Sequence, residues 1–151
     1  MLQKTTKISK NVKETTNIAK VFLDQILKDK NQKTGALVVG LSGDLGAGKT
    51  AFTQGIARHV GVKNKVSSPT FVIIKKYPIK KLKNYKFLFH LDAYRLKNEE
   101  ELLILGWGEI LKDKEHLVFI EWPENVKKVI PATAKFVRIS TDEKGHRKFF
   151  Y

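Results

Sequence analysis

The chain has 151 residues, no cysteine and a formal net charge of +14 at pH 7. That length suffices for one domain with a proper core, and the lack of cysteine excludes disulfides and thiolate metal sites. No apolar run approaches the ~18 residues of a membrane span, and the terminus Met1-Leu2-Gln3-Lys4 lacks the apolar core of a signal peptide, so a cytoplasmic protein with no membrane partner is expected.

From the N-terminus, Ser9-Lys10-Asn11 can cap a helix whose apolar positions Val12, Ile18, Val21, Phe22, Ile26 and Leu27 recur at helical spacing. Asp29 to Gly35 reads as a polar loop. Ala36 to Leu41 is an apolar run expected as a buried strand, and Ala51 to Val60 reads as a helix closed by Gly61. A loop at Val66-Ser67-Ser68-Pro69-Thr70 leads into a strand expected at Phe71 to Ile74. A basic hairpin follows over residues 75–83, then a second strand from Tyr85 to Asp92. Asn98 opens a short acidic helix, and Gly106-Trp107-Gly108 breaks the chain before Glu109-Ile110-Leu111. His116 to Trp122 is a buried strand, Pro123 to Val126 a brief turn or helix, and Trp107 and Trp122 are expected to pack, with Trp122 close enough to Glu121 to touch a site. Two last strands, from Lys135 to Ile139 and Lys148 to Tyr151, complete an α/β pattern. The expected fold is a single domain over residues 1–151, three layers α/β/α around a sheet mixing parallel and antiparallel strands.

Between the first strand and its helix, Gly43-Asp44-Leu45-Gly46-Ala47-Gly48-Lys49-Thr50 spells G-x-x-x-x-G-K-[ST]. Strand, glycine loop and helix in that order are the context that makes this motif a phosphate-binding loop. Glycines let consecutive backbone N–H groups turn toward an anion, and the helix N-terminus adds the positive end of its dipole. Lys49 would reach the β- and γ-phosphates, and the Thr50 hydroxyl would ligate Mg²⁺. The nucleotide-binding set is therefore Asp44, Leu45, Gly46, Ala47, Gly48, Lys49, Thr50 and Ala51, with Asp44 better suited to brace the turn or a nearby lysine than to hold metal.

Hydrolysis needs in addition a carboxylate for the metal and a group that orients water. Asp92 and Glu121 each end an apolar strand, and carboxyl ends of strands face the ligand crevice in open α/β sheets. Thr70 lies in the loop where nucleotide switches sit, so its hydroxyl could sense the γ-phosphate. His90 reads as an ordinary strand residue. The candidate catalytic set is Lys49, Glu121, Asp92 and Thr70, and the candidate metal ligands are Thr50, Glu121 and Asp92.

Four segments taken together resemble one family. Gly43 to Thr50, Ser68-Pro69-Thr70-Phe71, His90-Leu91-Asp92-Ala93-Tyr94-Arg95 and Ile120-Glu121-Trp122-Pro123 follow the order and spacing of TsaE, also called YjeE. This is the small bacterial ATPase of tRNA threonylcarbamoyladenosine (t6A) synthesis. The resemblance implies ATP/ADP and Mg²⁺ as cofactors, slow hydrolysis, and action with TsaB- and TsaD-type partners, with tRNA met through that complex and no DNA. It further implies that Thr50 and Glu121 hold Mg²⁺, with Asp92 in the same shell or positioning water, and that Thr70 belongs to the first switch loop. The adenine would lie near Val12 to Thr15, and Arg147 would touch the nucleotide.

The rivals separate on composition. A small-molecule kinase usually carries several lid arginines, whereas only Arg58, Arg95, Arg138 and Arg147 occur among 29 basic residues, scattered along the chain. Neither Asn64-Lys65-Val66-Ser67 nor Asn125-Val126-Lys127-Lys128 ends in the aspartate of a guanine-reading element. An RNA-binding or scaffold protein with a regulatory nucleotide site remains open. The lysine excess reflects either an AT-rich coding bias or a real attraction to RNA or an acidic partner.

Overall fold

A computed structural model describes residues 4–29 and 34–151, so most of the loop expected between Asp29 and Gly35 lies outside the described residues. The elements are β1 (Thr6–Ser9), α1 (Val12–Leu27), β2 (Leu37–Ser42), α2 (Lys49–His59), β3 (Ile74–Pro78), β4 (Phe87–Asp92), α3 (Glu99–Ile104), α4 (Trp107–Lys112), β5 (His116–Glu121), β6 (Lys135–Thr141) and β7 (Arg147–Phe150). A kinked 3₁₀ segment over Pro123–Val129 links β5 to β6.

All seven strands join one sheet in the order β1-β7-β6-β2-β5-β4-β3. The centre β6-β2-β5-β4 is parallel. β7 runs antiparallel to β6 and β1, and β3 antiparallel to β4, so the sheet is mixed as expected. β2 and β5 are buried along almost their whole length, which is why they read as continuous apolar runs rather than alternating ones. Leu37, Val39, Leu41, Leu88, Leu117 and Phe119 face α1 and α2. Val38, Phe89, Leu91, Val118 and Ile120 face the opposite layer, which contains Leu102, Trp107, Ile110 and Val126.

Local signals set the helix ends. Asn11 caps α1 by accepting from the Glu14 amide, while Glu14 returns a bond to the Lys10 amide (2.7 Å), a reciprocal cap. Asn98 caps α3 in the same manner through the Glu101 amide. Phe52, one turn into α2, anchors that helix among Phe22, Phe119 and Phe149, with ring centroids 5.7, 6.4 and 5.6 Å away. Each such pair contributes roughly 0.5–1.5 kcal/mol beyond its buried area. Gly55 lets α1 come close, since a Cβ there would meet the Thr16 Cα at 3.1 Å.

Two sequence expectations are displaced. The strand expected at Phe71 to Ile74 begins only at Ile74: Val72 donates its amide to the Pro69 carbonyl (3.1 Å), Ile73 takes a left-handed φ of 68°, and Phe71 stays exposed. The pairing of Ile74 with Leu91 then carries the strand into the lysine-rich stretch expected as a turn. β1 was not expected at all, because backbone pairing to β7 makes it a strand while three of its four side chains are exposed.

Candidate active site

The carboxyl ends of β2, β4 and β5 and the start of α2 enclose a cleft of about 370 Å³. Its walls carry Lys49, Thr50, Thr70, Asp92 and Glu121 together with loop residues Leu45, Gly46, Gly48 and Ala51, so most of the expected site converges. Arg147 reaches the same cleft from β7, 99 residues beyond Gly48 in sequence, and its guanidinium lies across that glycine. A Cβ at Gly48 would fall 2.5 Å from an Arg147 nitrogen, and the φ of 112° there disfavours any side chain.

Lys49 is buried and folded back on its own loop, its ammonium donating to the carbonyls of Gly43 and Asp44 (2.9 Å to the latter). Those carbonyls occupy the donors that a phosphate would otherwise engage. The ammonium also sits 4.5 Å over the Trp122 ring. Burial lowers the Lys49 pKa from its ordinary value, against the opposing pull of Glu121, Asp92, Glu124 and Asp44. Asp44 serves here through its backbone, its carbonyl accepting from Lys49 and from the Ala47 amide.

Register aligns the two acids, Asp92 pairing directly with Glu121 across β4 and β5. Both are buried, at 5% and 4% exposure, which is costly for carboxylates unless hydrogen-bonded. Glu121 Oε2 accepts from the Thr50 hydroxyl (3.0 Å) and faces the His90 Nε2 at 2.6 Å. Asp92 accepts from the Thr70 hydroxyl (3.0 Å) and from the Tyr94 amide (2.9 Å), and Thr70 is 2.6 Å from the Ser68 hydroxyl. The two chains are thus Thr50–Glu121–His90 and Ser68–Thr70–Asp92. Trp122 follows in a left-handed conformation (φ 59°), which turns its ring toward Lys49 and Tyr94. A non-glycine residue held there marks local strain of the kind found at ligand sites.

A smaller hollow of about 140 Å³ adjoins, lined by Ser9, Lys10, Asn11, Val12, Gly145 and Arg147. Arg147 lines both hollows. Val12 is therefore at this second wall, but Thr15 is not: it is 1% exposed and its hydroxyl lies 2.7 Å from that of Ser9. Since Ser9 donates to the Asn11 carbonyl (2.7 Å), Thr15 is the donor to Ser9, bracing the wall from behind.

Sequence reasoning missed Gln54 and underrated His90. Gln54 lines the main cleft and ties α2 to the next loop by donating to the Val66 carbonyl (2.8 Å). Its position four residues after Thr50, on the same helix face, was the available signal. His90 shares the alternation that points Asp92 into the cleft.

The donor set suits a hard cation: one hydroxyl and two carboxylates, all oxygens, at the end of a phosphate loop. Among the described residues no group of three or more His, Cys, Asp and Glu side chains forms a metal cage by itself. Mg²⁺ normally needs only one or two protein oxygens besides phosphates and water, so the set fits.

The family model "Threonylcarbamoyl adenosine biosynthesis protein TsaE" matches residues 9–149. This chain belongs to the TsaE family. A Haemophilus influenzae protein named tRNA threonylcarbamoyladenosine biosynthesis protein TsaE is 35% identical over 120 residues, 80% of this chain and 72% of that one. A Bacillus subtilis protein of the same name is 41% identical over 98 residues, 62% of this chain and 60% of that one. A solved structure titled as Bacillus subtilis YdiB superposes with a TM-score of 0.73 at 27% identity, covering 99% of this chain and 85% of that chain. The TsaE fold therefore carries the site just described. Among the described residues no helix is long and apolar enough to cross a membrane.

Proposed function

We propose that this chain is the ATP-binding and ATP-hydrolysing component of a tRNA t6A modification system, working with TsaB- and TsaD-type partners. The observation that carries this reading is the convergence of Lys49, Thr50, Asp92 and Glu121 on one cleft at the phosphate loop. Amides of Gly46 to Thr50 and the dipole of α2 receive the β- and γ-phosphates. Lys49 leaves the Gly43 and Asp44 carbonyls for phosphate oxygens, and Arg147 adds a second positive charge from across Gly48. Thr50, with Glu121 behind it, would hold Mg²⁺, which would supply neutralisation of charge on the phosphates. Asp92 and Glu121 orient the attacking water, and Thr70, through its bond to Asp92, fixes its loop at the cleft wall. Barrier lowering is electrostatic and positional, as in other phosphoryl transfers. The hollow beside Val12 would take the base.

Turnover serves to reset a protein complex, so it is slow in the isolated chain. The test is ATP hydrolysis by the protein alone and with the two partners, alongside Lys49→Ala. Low intrinsic turnover that rises with partners and vanishes in the variant supports the reading. Strong, ATP-independent tRNA binding with no turnover under any condition would replace it by the scaffold reading that the charge of +14 favours.

A further inference from the structure

His90 sits in the middle of β4, fully buried, and the proposed hydrolysis gives it no part. Its sheet neighbours are Phe119 on β5 and Lys75 on β3. Nε2 lies 2.6 Å from Glu121 Oε2, and the tautomer with its hydrogen on Nε2 donates to that oxygen while avoiding a buried, unpaired N–H at Nδ1. Nδ1 is buried with no hydrogen-bond partner among the described residues. Packing alone does not account for this residue, because an apolar side chain would fill the same space without an unsatisfied nitrogen. What a histidine adds at this place is a donor aimed at one carboxylate oxygen.

That oxygen is the one that receives the Thr50 hydroxyl at 3.0 Å. With its hydrogen committed to Glu121, the Thr50 oxygen keeps its lone pairs toward the cleft. We propose that His90 is a positioning residue: it pins Glu121, and through Glu121 it presets Thr50 to receive a divalent cation beside a bound nucleotide. Outer-shell donors of this kind orient the ligands they touch. The inference rests on the magnesium–nucleotide reading above and deepens it.

His90→Leu keeps similar bulk and removes the donor, whereas His90→Gln carries an amide donor near the Nε2 position. Both are compared with the wild-type chain by calorimetric titration of ADP over a Mg²⁺ series, with kcat and KM for ATP and thermal unfolding measured in parallel. For His90→Leu, metal-free ADP affinity and KM stay within ~3-fold, while the half-saturating Mg²⁺ concentration rises and kcat falls by ~10-fold or more. His90→Gln recovers most of both losses. The inference is overturned if Mg²⁺ dependence is unchanged in His90→Leu, if metal-free ADP binding falls equally, or if glutamine rescues nothing. Should His90→Leu fail to fold, His90→Gln alone decides, wild-type-like Mg²⁺ dependence supporting the inference and its loss overturning it. A wild-type chain that binds ADP with no response to Mg²⁺ would overturn the magnesium reading itself, and this inference with it.

Discussion

Two clefts lie at opposite ends of the parallel strands. The larger, about 480 Å³, is at their amino ends, lined by Leu37, Tyr85, Lys83, Lys114 and Glu115 among others. The smaller, about 370 Å³, is at their carboxyl ends. Size alone would choose the first. Buried chemistry chooses the second, because Lys49, His90, Asp92 and Glu121 are all within or beneath its wall at 5% exposure or less. Charges at the amino-end cleft are partly solvated, as in the exposed Lys86–Glu115 pair nearby (3.2 Å), and such pairs add little energy in either direction. Desolvated charges cost several kcal/mol unless paired. Their concentration at one end of the sheet marks where the fold is held away from its stability optimum.

The largest expected effect concerns what the two ends share. Phe52→Ala should destabilise the fold by ~3–5 kcal/mol, since it empties the aromatic cluster under α2, as read by denaturant unfolding. A loss below ~1 kcal/mol would mean that the phosphate loop does not lean on this core.

Substitutions at the carboxyl-end cleft should then divide function from stability. Glu121→Ala should retain nucleotide binding and lose turnover by ~100-fold or more, since the Thr50 hydroxyl loses its anchor. Asp92→Ala should lose less, because Asp92 holds Thr70 and the Tyr94 amide rather than Thr50. Steady-state rates in the reverse order would transfer the leading role to Asp92. Gly48→Ala forces a side chain into a left-handed backbone and against Arg147, and should cost ~1–3 kcal/mol in stability while weakening ADP binding. An unaltered ADP affinity would place Arg147 outside the nucleotide site.

The smallest effect is a pH dependence. Lys49 binds its proton less tightly in the folded chain than in the unfolded one, where the ordinary value is 10.5. As pH rises through the lowered folded value toward 10.5, stability should increase relative to Lys49→Met, because the buried ammonium is discharged first in the folded state. Nucleotide affinity should fall over the same interval, since phosphate needs the charged form. Parallel pH titrations of unfolding and of ADP binding check both signs, and equal curves for wild type and Lys49→Met would contradict them.

The parts of the candidate site that lie in local sequence are legible in the sequence itself. The glycine loop, Asp92 and Glu121 declare themselves because a strand end, a turn and a helix start are short-range features. The strand shift at Phe71 was not legible, since Phe71 and Val72 look like strand residues, and only their turn back to Pro69 and the register with β4 expose them. β1 escaped because an edge strand is made by pairing rather than by an apolar face. Arg147 entered only through family resemblance, as its approach to Gly48 depends on β7 lying beside β6, one strand away from β2. Thr15, which the family resemblance places with Val12 near the adenine, is set back from the hollow, its hydroxyl pointing to Ser9.

Calorimetric titration with Mg²⁺ and ATP, run on the wild-type chain, Lys49→Ala and Lys83→Ala, tests most directly which end of the sheet is the working one. Lys49→Ala should weaken binding by ~100-fold or more, through loss of the phosphate-facing charge, and Lys83→Ala should leave it unchanged. Unchanged affinity in Lys49→Ala, or a comparable loss in Lys83→Ala, would contradict the assignment of the carboxyl-end cleft as the nucleotide site.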